Sequence, residues 1–113
     1  MKIILVNLPK ISLNEWYSGN HWTKRKRIKD TYKLIIKSQF LKVFSKENKY
    51  IVDYCFTFKS RPLDTSNCVA MVKLIEDVIF EDDSYKIVDA ITIKSRKGNT
   101  DKVEIEINLK YKL

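Results

Sequence analysis

Glycine and proline are scarce, two of each, so no stretch of the chain reads as a linker or a low-complexity segment. Cysteine is equally scarce. Cys55 falls in a predicted strand and Cys68 on the packing face of a predicted helix, without zinc-like spacing, and two such residues are expected to be buried free thiols. His21 is the single histidine, which leaves a zinc site or a Ser-His-Asp arrangement short of parts and makes it either structural or a phosphate contact. There is no long apolar run either. Residues 3–6 are apolar, but the run is far too short for a signal-peptide core or a membrane span, and Pro9 soon follows. A cytoplasmic protein with no membrane contact is expected.

What the chain has in excess is positive charge: 22 Lys and Arg against 14 Asp and Glu, a formal charge of +8 and a pI near 9.5. That balance favours a polyanionic partner, nucleic acid first, over a small-molecule substrate; a basic surface serving only solubility is the alternative. With 113 residues, 44% of them hydrophobic, residues 1–113 form one domain with a full core.

Residues 2–7 read as a β-branched strand ending at Leu8-Pro9. Residues 11–23 combine turn formers with Trp16, Tyr17 and Trp22, as in an ordered surface loop; these rings either cap the core, the favoured reading, or stack on unpaired bases. Thr23 is the expected N-cap of a helix reaching to about residue 45, with Ile28, Tyr32, Ile35, Ile36 and Val43 as its apolar stripe. Its outer face is basic. Lys26, Lys29, Lys33 and Lys37 recur at helical spacing, and Lys24, Arg25 and Arg27 crowd the first turn, where cations oppose the helix dipole; an anionic partner would relieve the crowding.

Residues 50–58 alternate, with Val52, Tyr54, Phe56 and Phe58 on one side and Ile51, Asp53, Cys55 and Thr57 on the other. The segment after this strand delivers Asp64 into a helix over residues 67–79. At 100° per residue Cys68, Met71, Val72, Ile75, Val78 and Ile79 share a packing arc, and Ala70, Lys73 and Asp77 share a polar one. Asp64 or Ser66 serves as its N-cap, and Glu81-Asp82-Asp83 follows its end. Residues 85–95 form a further strand. Residues 97–101 make a turn, and Val103, Ile105, Ile107 and Leu109 give the last strand a buried face. The expected class is α+β: a small mixed or antiparallel sheet of about four strands packed with two helices.

Asp64, Asp77, Asp82 and Asp83 are hard oxygen donors, and if they converge without His or Cys the ion that suits them is Mg²⁺, or Mn²⁺. Such a site activates water for phosphodiester hydrolysis, and Lys73 can offset charge on the phosphate. Read singly, each is a solvated surface group, and Lys73 with Asp77 is an i,i+4 surface pair.

Leu8-Pro9, Ser12-Leu13-Asn14 with Tyr17, Asp64-Thr-Ser-Asn67, and Glu81-Asp82-Asp83-Ser84 followed by Ile87-Val88 resemble the motifs of the RusA-type Holliday junction resolvases, small dimeric endonucleases common in phages and prophages. The double aspartate is the most specific of these. The resemblance implies a RusA-like homodimer that hydrolyses four-way junctions and other branched DNA with Mg²⁺, in the host cytoplasm if phage-encoded. It makes Asp64, Asp82 and Asp83 metal-binding catalytic carboxylates, Lys73 the helix lysine and Asp77 the helix aspartate. The expected DNA contacts are Asn14, Tyr17, His21, Trp22, Lys24, Arg25, Lys26, Lys29, Lys33, Lys37, Arg61 and Asn67. Two departures stand out: Ser66 occupies the second aspartate of the motif, and Ala70 occupies the lysine position, with Lys73 three residues on. Asp77 is expected to supply the missing carboxylate. A DNA-binding protein of the same fold with a degraded metal site is the rival expectation.

Overall fold

The computed structural model describes residues 1–18, 21–45, 47–80 and 86–112. Along them run β1 (Lys2–Val6), α1 (Leu13–Tyr17), α2 (Trp22–Gln39), β2 (Asn48–Phe58), a 3₁₀ turn (Thr65–Cys68) continuing into α3 (Val69–Ile79), β3 (Val88–Lys97) and β4 (Lys102–Lys112). The strands form one mixed sheet in the order β1-β4-β2-β3, antiparallel except for the parallel pair β2 and β3. The α+β class holds, with three helices rather than two among the described residues. No helix among them is long and apolar enough to cross a membrane.

Alternation does what a pleated backbone requires: Val52 faces Ile107, Tyr54 faces Ile105 and Phe56 faces Val103, all buried beneath the helices. The opposite face carries Asp53, Glu104 and Glu106. Leu109 departs from its expected burial and is 58% exposed. A register shift between Lys49 and Tyr50 interrupts the pairing at that end, and the buried face of β4 stops at Ile107. Cys55 and Cys68 are free thiols; Cys68 is fully buried and Cys55 half-buried.

Residues 11–23 hold a helix that the turn-forming composition concealed. Ser12 Oγ accepts from the Glu15 amide at 3.0 Å and the Ser12 amide donates to Glu15 Oε1 at 3.3 Å, a capping box that stabilises α1 despite its single turn. Trp16 is thereby turned into the core. The N-cap of α2 is His21, not Thr23: its Nδ1 accepts from the Thr23 amide at 3.3 Å. The helix also ends early, at Gln39. Beyond it Phe44 bridges to Phe80 and joins Phe40 and Tyr50 in an aromatic cluster, so burying these rings outweighs extending the helix, and Val43 is 44% exposed. Gln39 bonds both Val6 N and Val6 O at 2.8 Å, covering the backbone of edge strand β1.

The packing arc of α3 is as expected at Cys68, Met71, Val72, Ile75 and Ile79, but Ala70 and Leu74 are buried too, and Val78 is half-buried. Sheet on one side and α1 and α2 on another leave only a narrow wet strip, on which Lys73 and Asp77 stand. Tyr54, buried in the core, donates to Glu76 Oε2 at 2.8 Å. Glu76→Ala leaves that hydroxyl without its acceptor and is expected to cost about 1–3 kcal/mol, read from the urea midpoint. Tyr54→Phe in the Glu76→Ala background should cost much less than in the wild type; additive losses would mean that the two groups are not coupled.

Candidate functional site

Because β2 and β3 are parallel, both end at the same edge of the sheet, and the turn after β2 leads Asp64 into α3 from that edge. The carboxyl ends of parallel strands are where open sheets commonly place ligands. Hydrogen bonds fix this edge: Gly98 N donates to Phe58 O at 3.0 Å, Lys59 N to Asp101 Oδ1 at 2.8 Å and Lys97 Nζ to Lys59 O at 2.8 Å, and the Ser95 hydroxyl donates to Leu63 O. Gly98 is needed for this approach, since a Cβ there would come within 2.3 Å of Thr57 Cγ2.

Asp64 caps the 3₁₀ turn through its main chain. Its carbonyl accepts from Asn67 N at 2.9 Å and Cys68 N at 3.1 Å, while its side chain makes no capping bond and is exposed. The carboxylate is therefore left to solvent. Burial pushes the Cys68 thiol up, and Asp64 adds to that push; Ser95 and Lys10 work against it.

Around Asp64 the sheet edge is basic. Lys59, Arg61 and Lys97 are exposed there, and Lys10 reaches in from the segment after β1, donating to Ser60 Oγ at 3.3 Å and to the Arg61 carbonyl, with its ammonium 5.4 Å from the Phe58 ring centre. Arg61 was expected from the sequence; Lys10, Lys59 and Lys97 were not. Lys59 lies on the segment that leads to Asp64, whereas Lys10 and Lys97, dozens of residues away, join the turn only through the fold.

Helix α1 packs on the 3₁₀ turn and on α3, and its Asn14 and Tyr17 are exposed. The Arg25 guanidinium lies 5.6 Å from the Trp16 ring centre and 5.7 Å from that of Tyr17. Its Nε is buried and has no hydrogen-bond partner among the described residues, so the aromatic pair holds the stem while the head remains part-exposed. On α2, Lys26, Lys29, Lys33 and Lys37 span an arc of about 80° at 100° per residue, and Trp22, 68% exposed, lies on the same arc. Lys26 is paired with Asp30 at 2.9 Å, so the stripe is less purely cationic than its lysine spacing suggests. Lys24 is exposed but off that arc, and His21 spends its Nδ1 on the helix cap.

The acidic residues fare differently. Asp64 and Asp77 sit at opposite ends of one helical run, about 20 Å apart along its axis, and Lys73 is about 15 Å from Asp64 on the same measure. One ion cannot bridge carboxylates so far apart, and the idea that Asp77 replaces the carboxylate missing at exposed Ser66 loses its geometric basis. Asp82 and Asp83 lie outside the described residues. Among the described residues no three His, Cys, Asp or Glu side chains gather. No known family model matches the chain, and no curated protein matches it.

Proposed function

We propose that the protein is a magnesium-dependent, structure-selective DNA endonuclease that cuts branched DNA, four-way junctions foremost, by phosphodiester hydrolysis. The observation that carries this is Asp64: an exposed carboxylate, held by a main-chain cap at the carboxyl end of a parallel strand pair, among Lys10, Lys59, Arg61 and Lys97. A hard oxygen donor inside a basic rim suits a phosphodiester bound beside a hard cation. The ligand set is Asp64 with the Asp82-Asp83 pair, supported by the resemblance of Asp64-Thr-Ser-Asn67 and Glu81-Asp82-Asp83-Ser84 to resolvase motifs. Mg²⁺ or Mn²⁺ bound there would supply an activated water and charge neutralisation on the phosphate. The protein's own cations do the rest: Arg61 and Lys97 draw the backbone to the edge, Arg25, fixed by Trp16 and Tyr17, receives a neighbouring phosphate, and the lysines of α2 hold a duplex arm. As a C2 homodimer, two such sites would face opposing strands of a junction of approximate two-fold symmetry.

A labelled four-way junction incubated with and without magnesium, beside a linear duplex of the same sequence, tests this directly. Magnesium-dependent cleavage confined to the junction is expected. Ser66 favours one rival, a DNA-binding protein with a degraded metal site, and tight junction binding with no cleavage in Mg²⁺ or Mn²⁺ would establish that rival instead. The phosphate contacts have their own signature: Lys33→Ala or Lys37→Ala should weaken junction binding and flatten its dependence on the logarithm of salt concentration by about one unit of slope. A slope equal to wild type would mark those lysines as merely solvated.

A further inference from the structure

Lys10 is embedded in main chain that is fixed on both sides. Before it, Asn7 adopts a left-handed conformation (φ 62°) and donates its amide to Asp101 O at 3.1 Å. Next to it, the Pro9 carbonyl accepts from the buried Tyr32 hydroxyl of α2, and two residues on Ser12 caps α1. From this rigid segment the ammonium crosses to the turn after β2, where it bonds Ser60 Oγ and the Arg61 carbonyl above the Phe58 ring. Asp64 follows three residues later. A second tie on the turn is the Ser95 hydroxyl on Leu63 O.

We propose that Lys10 is a positioning residue of the Asp64 site: by holding the Ser60–Arg61 carbonyl side of the turn it sets the height and direction of the Asp64 carboxylate. What it positions that carboxylate for rests on the nuclease reading above. A lysine suits the task because a charge-assisted bond to a carbonyl is stronger than a neutral one, and its long stem spans the gap over Phe58.

The test uses the full chain, with Lys10→Met retaining the stem without charge and Lys10→Arg retaining the charge. Hydrogen exchange is followed at the Asn67 and Cys68 amides, which donate to the Asp64 carbonyl, and at α2 as an internal control. Lys10→Met should speed exchange at Asn67 and Cys68 about tenfold while α2 keeps its protection, and kcat on the junction should fall about tenfold to a hundredfold with KM unchanged, as a misplaced group costs. Lys10→Arg should restore most of both. Unchanged exchange in Lys10→Met overturns the proposal, as does a rise in KM at unchanged kcat, which would make Lys10 a DNA contact. If the wild type neither cleaves nor binds metal, the nuclease reading falls by itself, and the exchange comparison still decides whether Lys10 holds the turn.

Discussion

Asp64→Asn is expected to reduce magnesium-dependent junction cleavage by about 10²–10³-fold, the equivalent of losing about 3–4 kcal/mol of transition-state stabilisation, while junction affinity stays within about twofold of wild type. The two effects separate because the carboxylate and the basic surface do different work. Removing one negative charge from an exposed acidic group weakens any hold on a divalent cation, yet if anything it reduces repulsion of the phosphate backbone. The substitution is nearly isosteric, and the capping of the 3₁₀ turn comes from the Asp64 carbonyl rather than its side chain, so the fold should tolerate it. Asp83→Asn should behave in the same way. Asp77→Asn should not: at the far end of the helical run it is too distant to share an ion with Asp64, and cleavage should stay near wild type. Gel assays of initial rates across a magnesium titration, paired with anisotropy measurements of junction affinity, decide the matter. Full activity in Asp64→Asn would remove that residue from the site, and loss of activity in Asp77→Asn equal to that in Asp64→Asn would restore Asp77 as a ligand.

The second large effect is loss of stability in alkali. Tyr32 and Tyr54 are almost wholly enclosed, and burial holds both hydroxyls well above the ordinary tyrosine value near 10; the adjacent Glu76 carboxylate adds to the effect on Tyr54. Below pH 10 the two side chains are neutral in folded and unfolded chain alike, and they contribute no pH dependence. Above it the unfolded chain releases these protons and the folded chain keeps them. The unfolded state then binds fewer protons, so stability falls with rising pH, by about 1.4 kcal/mol per pH unit for each tyrosine and about 2.7 for the pair. Over one pH unit that is a substantial part of the stability of a small domain. Urea midpoints taken from about pH 9.5 to 11.5 should therefore drop steeply, and Tyr32→Phe should lower the slope of stability by about 1.4 kcal/mol per pH unit. A slope that Tyr32→Phe leaves intact would show that other groups drive the alkaline transition. Phenolate absorbance that rises for all six tyrosines before the fold is lost would contradict the enclosure itself.

Several of these features could be read from the residues in order. The alternation from Val52 to Phe58 and from Val103 to Ile107 assigns the sheet faces, and the spacing of Cys68, Met71, Val72, Ile75 and Ile79 assigns the inner side of α3. The lysines of α2 announce a cationic face. Even α1 had a local signal, the Ser12-to-Glu15 capping box, which the turn-forming residues around it outweighed. All of these depend on backbone periods and short-range hydrogen bonds, whose geometry is the same in any fold.

Which elements meet is another kind of fact. The parallel pairing of β2 with β3 creates the edge at which Asp64 stands, and it depends on the path of the chain through α3 rather than on either strand's composition. Ala70 and Leu74 are buried because α3 is covered on more than one side, which helical periodicity does not encode. The separation of Asp77 from Asp64 follows from a continuous helical run that a motif alignment ignores. Lys10 joins the Asp64 turn from near the start of the chain. Periodicity places a side chain relative to its own backbone; only the assembled sheet and helices place it relative to a side chain fifty residues away, because that distance is set by packing between elements and by nothing within either of them.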